Sequence, residues 1–156
     1  MSELEELKNR FPDAVVEIKT QRERRLWATV KREALLEVCR YLKEQGFDHI
    51  SSVSGVDYAE RFEAVFHLWS YSKKKLLSLK VPLPKDDPTI DSVTSIWRGA
   101  DWHEREAYDM FGIIFKGHPN LTRILLPEDF EGHPFRKDYK LKESPWFSGK
   151  TQGENP

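Results

Sequence analysis

Residues 62–71, FEAVFHLWSY, constrain the fold of this chain more than any other segment. Alternation sends Val65, His67, Trp69 and Tyr71 to one side of an extended strand and Ala64, Phe66 and Leu68 to the other. Both sides are largely apolar, so such a strand belongs inside a sheet, with neighbours along both edges. The run Ser72 to Lys75 reads as a solvated turn, and LLSLKVPL (76–83) as the next strand. Pro82, Pro84 and Pro88 are expected to end that strand and open a loop.

The flanking segments supply the rest of a layer. Ser2 with Glu5 forms a capping-box pattern ahead of Leu4, Leu7 and Phe11, a short helix stopped by Pro12. AVVEIK (14–19) and LWATV (26–30) read as strands joined by a polar hairpin. Lys31 to Gln45 carries Ala34, Leu35, Val38 and Leu42 on one helical stripe, with Gly46 as its stop. HISSVSGVDY (49–58) is a strand with a glycine inside. Val93, Ile96 and Trp97 space as a helix face within DSVTSIW, and Asp101 with Glu104 repeats the capping-box pattern before a helix that Gly112 closes. One short strand follows Ile113. The order α-β-β-α-β-β-β-α-α predicts an α+β two-layer domain, with helices on one face of a mixed β-sheet, over residues 1–116. Residues 117–156 are too irregular to form a layer and read as an extended C-terminal tail that needs a partner surface.

Composition removes several function classes. The 25 Lys and Arg nearly balance the 26 Asp and Glu, so nothing draws the chain to nucleic acid or an anionic membrane. No apolar run approaches the roughly 18 residues a bilayer span requires, and the acidic N-terminus lacks a signal-peptide layout, which predicts a cytosolic chain. Cys39, the single cysteine, borders the second helix's apolar stripe and reads as a buried, inert thiol.

Trp102 to Asp138 holds most of the residues capable of chemistry, including two Gly-His-Pro triplets. On a helical wheel Ala107, Tyr108, Met110 and Phe111 form an apolar arc with Glu104 inside it, while Arg105, Glu106 and Asp109 fall opposite. A carboxylate in such an arc must be paired or kept near water. Glu104 therefore either caps its own helix or forms a buried ion pair with Arg123 or Arg136. His103-Glu104 lacks the second histidine of a zinc helix, since that position is Ala107. The order His-x-x-Glu reverses the di-iron pattern. His67 reads as a satisfied strand histidine, and His118 and His133 as turn residues. No glycine-rich phosphate loop or nucleophile elbow is present. Trp102, Trp146 and Phe147 could stack on bases, but the charge balance argues against nucleic acid.

Glu104-Arg105-Glu106-Ala107-Tyr108-Asp109-Met110-Phe111-Gly112-Ile113 resembles a motif of the NuoC-like family, the C-type subunits in the peripheral arm of complex I, the NADH–quinone oxidoreductase. The family's later elements follow in order: Gly117-His118-Pro119, Leu121, Arg123-Ile124-Leu125, Gly132-His133-Pro134 and Arg136-Lys137-Asp138. Phe130 stands where the family often has Trp, and Phe135 where it often has Leu.

The resemblance implies a scaffold subunit without catalytic, cofactor-binding or metal-binding residues of its own. Its structural residues would be Glu104, Arg105, Glu106, Tyr108, Asp109, Gly112, His118, Pro119, Arg123, Gly132, Pro134, Arg136, Lys137 and Asp138. Among them Glu104, Arg123, Arg136 and Asp138 would organise a charged joint between domain and tail. The tail would dock on a hydrogenase-like large subunit of the D type, beside a small iron–sulfur subunit of the B type. Iron–sulfur clusters, flavin or nickel–iron would sit in those partners, and the assembly on the cytoplasmic side of the cell membrane. The same resemblance extends to subunits of membrane-bound [NiFe]-hydrogenases and ferredoxin-dependent complexes. A reading of another class is a free-standing soluble enzyme using Glu104 and His103 as acid and base.

Overall fold

The computed structural model describes residues 2–140. Its elements are α1 (Glu3–Arg10), β1 (Val15–Arg22), β2 (Arg25–Val30), α2 (Leu35–Glu44), β3 (His49–Asp57), β4 (Arg61–Ser70), β5 (Lys75–Pro84), β6 (Thr89–Asp91), α3 (Ala100–Phe111) and β7 (Ile114–Lys116). A 3-10 turn over Arg32–Ala34 leads into α2. Five strands form one mixed sheet in the order β1-β2-β5-β4-β3, and β6 and β7 form a separate parallel pair. Only β2 and β5 run parallel within the large sheet, because α2, β3 and β4 intervene as a crossover. The domain is α+β, as expected.

The capping box at Ser2 forms: Glu5 N donates to Ser2 Oγ, and Ser2 N donates to the Glu5 carboxylate. It starts α1, which buries Leu4 and Leu7. β4 lies inside the sheet, between β5 and β3. Its residues Phe62, Ala64, Phe66 and Leu68 join the inward residues of α1, α2 and α3 in one apolar core; Val65 stays outside that cluster. The helices thus cover one face. The other face carries His67 and Trp69, both half-buried, and His67 Nδ1 meets Ser78 Oγ at 2.8 Å. Cys39 is fully buried in the core, where burial pushes its thiol far above the ordinary range.

Three expectations need correction. β5 runs on through Pro82 to Pro84. Its pairing with β2 stops at Lys80, so the prolines cost no ladder hydrogen bond on that side. DSVTSIW is not helical. Ser92 Oγ and Thr94 Oγ1 lie 2.8 Å apart and Thr94 N donates to Ser92 Oγ, so side chains take over backbone pairing and leave a string of turns. Val93, Ile96 and Trp97 are nonetheless buried, and Trp97 Nε1 donates to the Phe47 carbonyl. Finally, α3 starts at Ala100 with Gly99 as its N-cap, so Asp101 lies inside the helix and no capping box forms there.

Candidate functional site

α3 carries two fully buried carboxylates, Glu104 and Asp109. The sequence left Glu104 either capping its own helix or paired with Arg123 or Arg136; the structure shows neither. Glu104 Oε2 accepts from Ser92 Oγ at 2.6 Å and Oε1 from Val93 N at 2.7 Å. It ties α3 to the turns that follow β6. Burial pushes its carboxyl up to about 7, against the pull of those two donors. Sealed in this way, Glu104 reaches no substrate, and the acid–base enzyme reading loses its acid.

Arg123 belongs to Asp109, a residue that the helical wheel places on the outer face. Arg123 Nη1 lies 2.7 Å from Asp109 Oδ1, and Asp109 Oδ2 accepts from the backbone N–H groups of Ile124, Leu125 and Leu126 at 3.2, 2.9 and 3.0 Å. Burial alone would raise this carboxyl, but the guanidinium and three amides outweigh it and hold Asp109 below the ordinary range. Arg123 Nη2 continues to the carbonyls of Phe130 and Gly132. Residues 117–140 contain no helix or strand, yet the single carboxylate of Asp109 ties Arg123 and the amides of residues 124–126 to the domain.

The same segment closes the end of α3. His133 Nδ1 donates to the Asp109 carbonyl, Phe135 N to that of Met110, and Arg136 Nε to that of Phe111 at 2.6 Å. Carbonyls in the last turn of a helix lack intrahelical donors, and here downstream residues supply them. Gly112 ends α3 at φ +74; a Cβ there would fall 2.6 Å from Arg136 Nη2 and from His133 Cδ2. Tyr108 packs edge-on against the His133 ring, and Arg136 lies 4.9 Å from the centre of the buried Phe62 ring. Lys137 N donates to Asp57 Oδ2, whose other oxygen pairs with Lys85 Nζ at 2.6 Å.

The remaining expected residues are spread more widely. Arg105 donates to the carbonyls of Thr122 and Arg123 and lies 5.3 Å from the Trp102 ring centre. His118 Nε2 meets Asp101 Oδ1 at 2.9 Å while its Nδ1 accepts from Asn120 N. Gly132 supplies a carbonyl to Arg123, Pro134 is half-buried beside it, and Pro119 is exposed. Glu106 and Asp138 are exposed and join none of these bonds among the described residues. Asp57, Lys85 and Ser92 escape a reading of the sequence because their partners lie far along the chain. Trp146 and Phe147 lie outside the described residues.

Three large apolar side chains around α3 and the segment after it face solvent: Trp102 is 63% exposed, Leu125 62% and Phe135 59%. Among the described residues no group of His, Cys, Asp and Glu is placed to hold a metal. No described helix is long and apolar enough to cross a membrane.

Residues 28–145, which include the whole α3 joint, match the family model for the respiratory-chain NADH dehydrogenase 30 Kd subunit. The chain belongs to this family. Among relatives of this 30 Kd subunit family, the C subunit of F(420)H(2) dehydrogenase from Methanosarcina mazei is 46% identical, over 88% of this chain and 89% of its own length. The C subunit of NADH-quinone oxidoreductase from Citrifermentans bemidjiense is also 46% identical, over 87% of this chain and 86% of its own. Two solved structures share the 30 Kd subunit fold. The trypsin-resistant fragment of Nqo5 superposes with a TM-score of 0.65 at 31% identity, covering 76% of this chain and 96% of that one. A chain of the membrane-bound sulfane sulfur reductase, an archaeal respiratory membrane complex, superposes with a TM-score of 0.78 at 27% identity, covering 88% and 84%.

Proposed function

We propose that this chain is a cofactor-free scaffold subunit in the peripheral arm of a complex I-like oxidoreductase, one that carries electrons from NADH or ferredoxin to quinone and couples the transfer to ion translocation. One observation carries the reading: residues 117–140 are locked onto α3 through Asp109 and Arg123 while Leu125 and Phe135 are left facing solvent. Exposed apolar side chains on a fixed support are the anchors of a protein interface. The partner is the hydrogenase-like large subunit, with the small iron–sulfur subunit beside it, and those partners hold the iron–sulfur clusters, flavin or nickel–iron. The assembly sits on the cytoplasmic face of the cell membrane.

Two relatives support a role independent of the electron donor. One is named for F(420)H(2) and the other for NADH, yet both are 46% identical to this chain. A subunit that touched the donor would be expected to diverge with it. A second reading is the equivalent subunit of a related ferredoxin-dependent or hydrogenase-type membrane complex; the likeness to a chain of a sulfane sulfur reductase, another respiratory membrane complex, supports a parent other than complex I.

Native purification of the tagged chain tests both. The parent should bring down a large subunit together with iron, and co-purified flavin or nickel separates the two readings. Leu125→Asp combined with Phe135→Asp should leave the chain folded by circular dichroism and free of partners. A parent chain that purifies alone, without iron, overturns the scaffold reading.

A further inference from the structure

β3 is an edge of the sheet, with α3 packed against it, and among the described residues its outer backbone edge is unpaired. Its backbone pairs with β4 on one side, and no described backbone–backbone hydrogen bond reaches residues 49–57 from any other element. The opposite edge is defended. β1 breaks register with β2 twice and exposes Glu17, Lys19 and Arg22, the devices that keep an edge from recruiting another strand. β3, with the sequence HISSVSGVD, has no lysine, arginine or proline and only one register shift against β4.

A cleft of about 230 Å³ runs between this strand and α3, walled by Val53, Gly55, Met110, Phe111 and Phe135. Gly55 makes the wall possible: a Cβ there would lie 2.6 Å from Phe111 Cδ2. Glu106 stands on the same cleft, exposed and without an ion-pair partner among the described residues. The site therefore offers strand amides and carbonyls with no described backbone partner beyond β4, an apolar slot beside them, and one negative charge without a described ion-pair partner.

We infer that β3 accepts a sixth strand from another polypeptide, an extended segment that places an apolar side chain in the cleft and a lysine or arginine against Glu106. Only an extended backbone satisfies a strand edge, and pockets beside the edge select the side chains that come with it. A second copy of this chain is a poor occupant, because its β3, HISSVSGVD, has no lysine or arginine to set against Glu106. Phe135 belongs both to this cleft and to the proposed docking surface, so the inference rests on that reading at this residue; the strand edge itself lies outside residues 117–140.

Hydrogen exchange tests it on the tagged chain, purified alone at two concentrations and in its native assembly. Amides of residues 50–56 that are open in the free chain should exchange at least about tenfold more slowly in the assembly. Glu106→Lys should remove that protection while leaving residues 124–126 protected. Protection that rises with concentration in the isolated chain would assign the edge to a second copy and overturn the proposal. Equal exchange in both states, an assembly unaffected by Glu106→Lys, or a chain that never acquires a partner would also overturn it. Failure of the scaffold docking is read separately, by whether the single variant Leu125→Asp purifies without the large subunit.

Discussion

Arg123 lies 2.7 Å from Asp109, and the two residues are partners across fourteen positions of sequence. The pair is almost fully withdrawn from water, with Asp109 sealed and Arg123 nearly so. Removing one member of such a pair strands the other. Arg123→Ala should therefore destabilise the domain by about 3 kcal/mol in urea unfolding, and adding Asp109→Asn should recover part of the loss. A change below about 0.5 kcal/mol would mean that the three backbone amides satisfy Asp109 unaided.

Acid should loosen the same joint. Asp109 and Asp57 both have depressed carboxyl values in the folded chain, each because its donors outweigh the cost of burial. A depressed carboxyl contributes stability above its unfolded value, roughly pH 4, and loses it as pH falls through the lower folded value. Asp109→Asn should flatten the acid side of a plot of Tm against pH. An unchanged acid limb would show that Asp109 contributes nothing to it.

Glu104 works in the opposite direction. Its folded carboxyl sits at about 7, above the unfolded value, so the native chain keeps a proton that the unfolded chain has lost. Stability should fall as pH rises from roughly 4.5 to 7, by up to about 3 kcal/mol. His67 and His133 have depressed values and slope the other way in part of that window, so the informative quantity is a difference. The stability of Glu104→Gln relative to the parent should rise with pH between 5 and 7. A constant difference would place the Glu104 carboxyl outside that window.

Two glycines separate backbone strain from crowding. Gly112 and Gly117 both have positive φ, at +74 and +82, but only Gly112 has neighbours where a Cβ would stand. Gly117→Ala should cost about 1 kcal/mol for the left-handed backbone alone. Gly112→Ala should cost at least about 2 kcal/mol, because Arg136 and His133 must also move. Equal losses in thermal unfolding would show that Arg136 and His133 yield freely.

Alternation makes the sheet legible in the sequence. Residues 62–71 identify an interior strand because both of their faces are apolar, and the capping box at Ser2 and Glu5 marks the start of α1 directly. DSVTSIW misleads, since three buried apolar residues at helical spacing also suit a string of turns when Ser92 Oγ takes the Thr94 amide and Glu104 takes that of Val93. The joint is visible as a cluster of residue types but not as pairs. A helical wheel knows only its own helix, so it reads Asp109 as an outward residue; the cover over Asp109 comes from residues 123–126. Asp57 is harder still, because its donor Lys137 stands eighty positions away.

The end of α3 has a consequence for the order in which this chain becomes whole. The carbonyls of Asp109, Met110 and Phe111 wait for donors from His133, Phe135 and Arg136, twenty-four or twenty-five positions later. A nascent chain that has released α3 from the ribosome, but not yet those residues, holds a helix with an open end and a naked Asp109. The sheet can assemble before that moment; α3 cannot be finished until it. Until those residues arrive, neither the helix end nor the support beneath Leu125 and Phe135 is complete, so a half-made chain does not display them as the whole chain does.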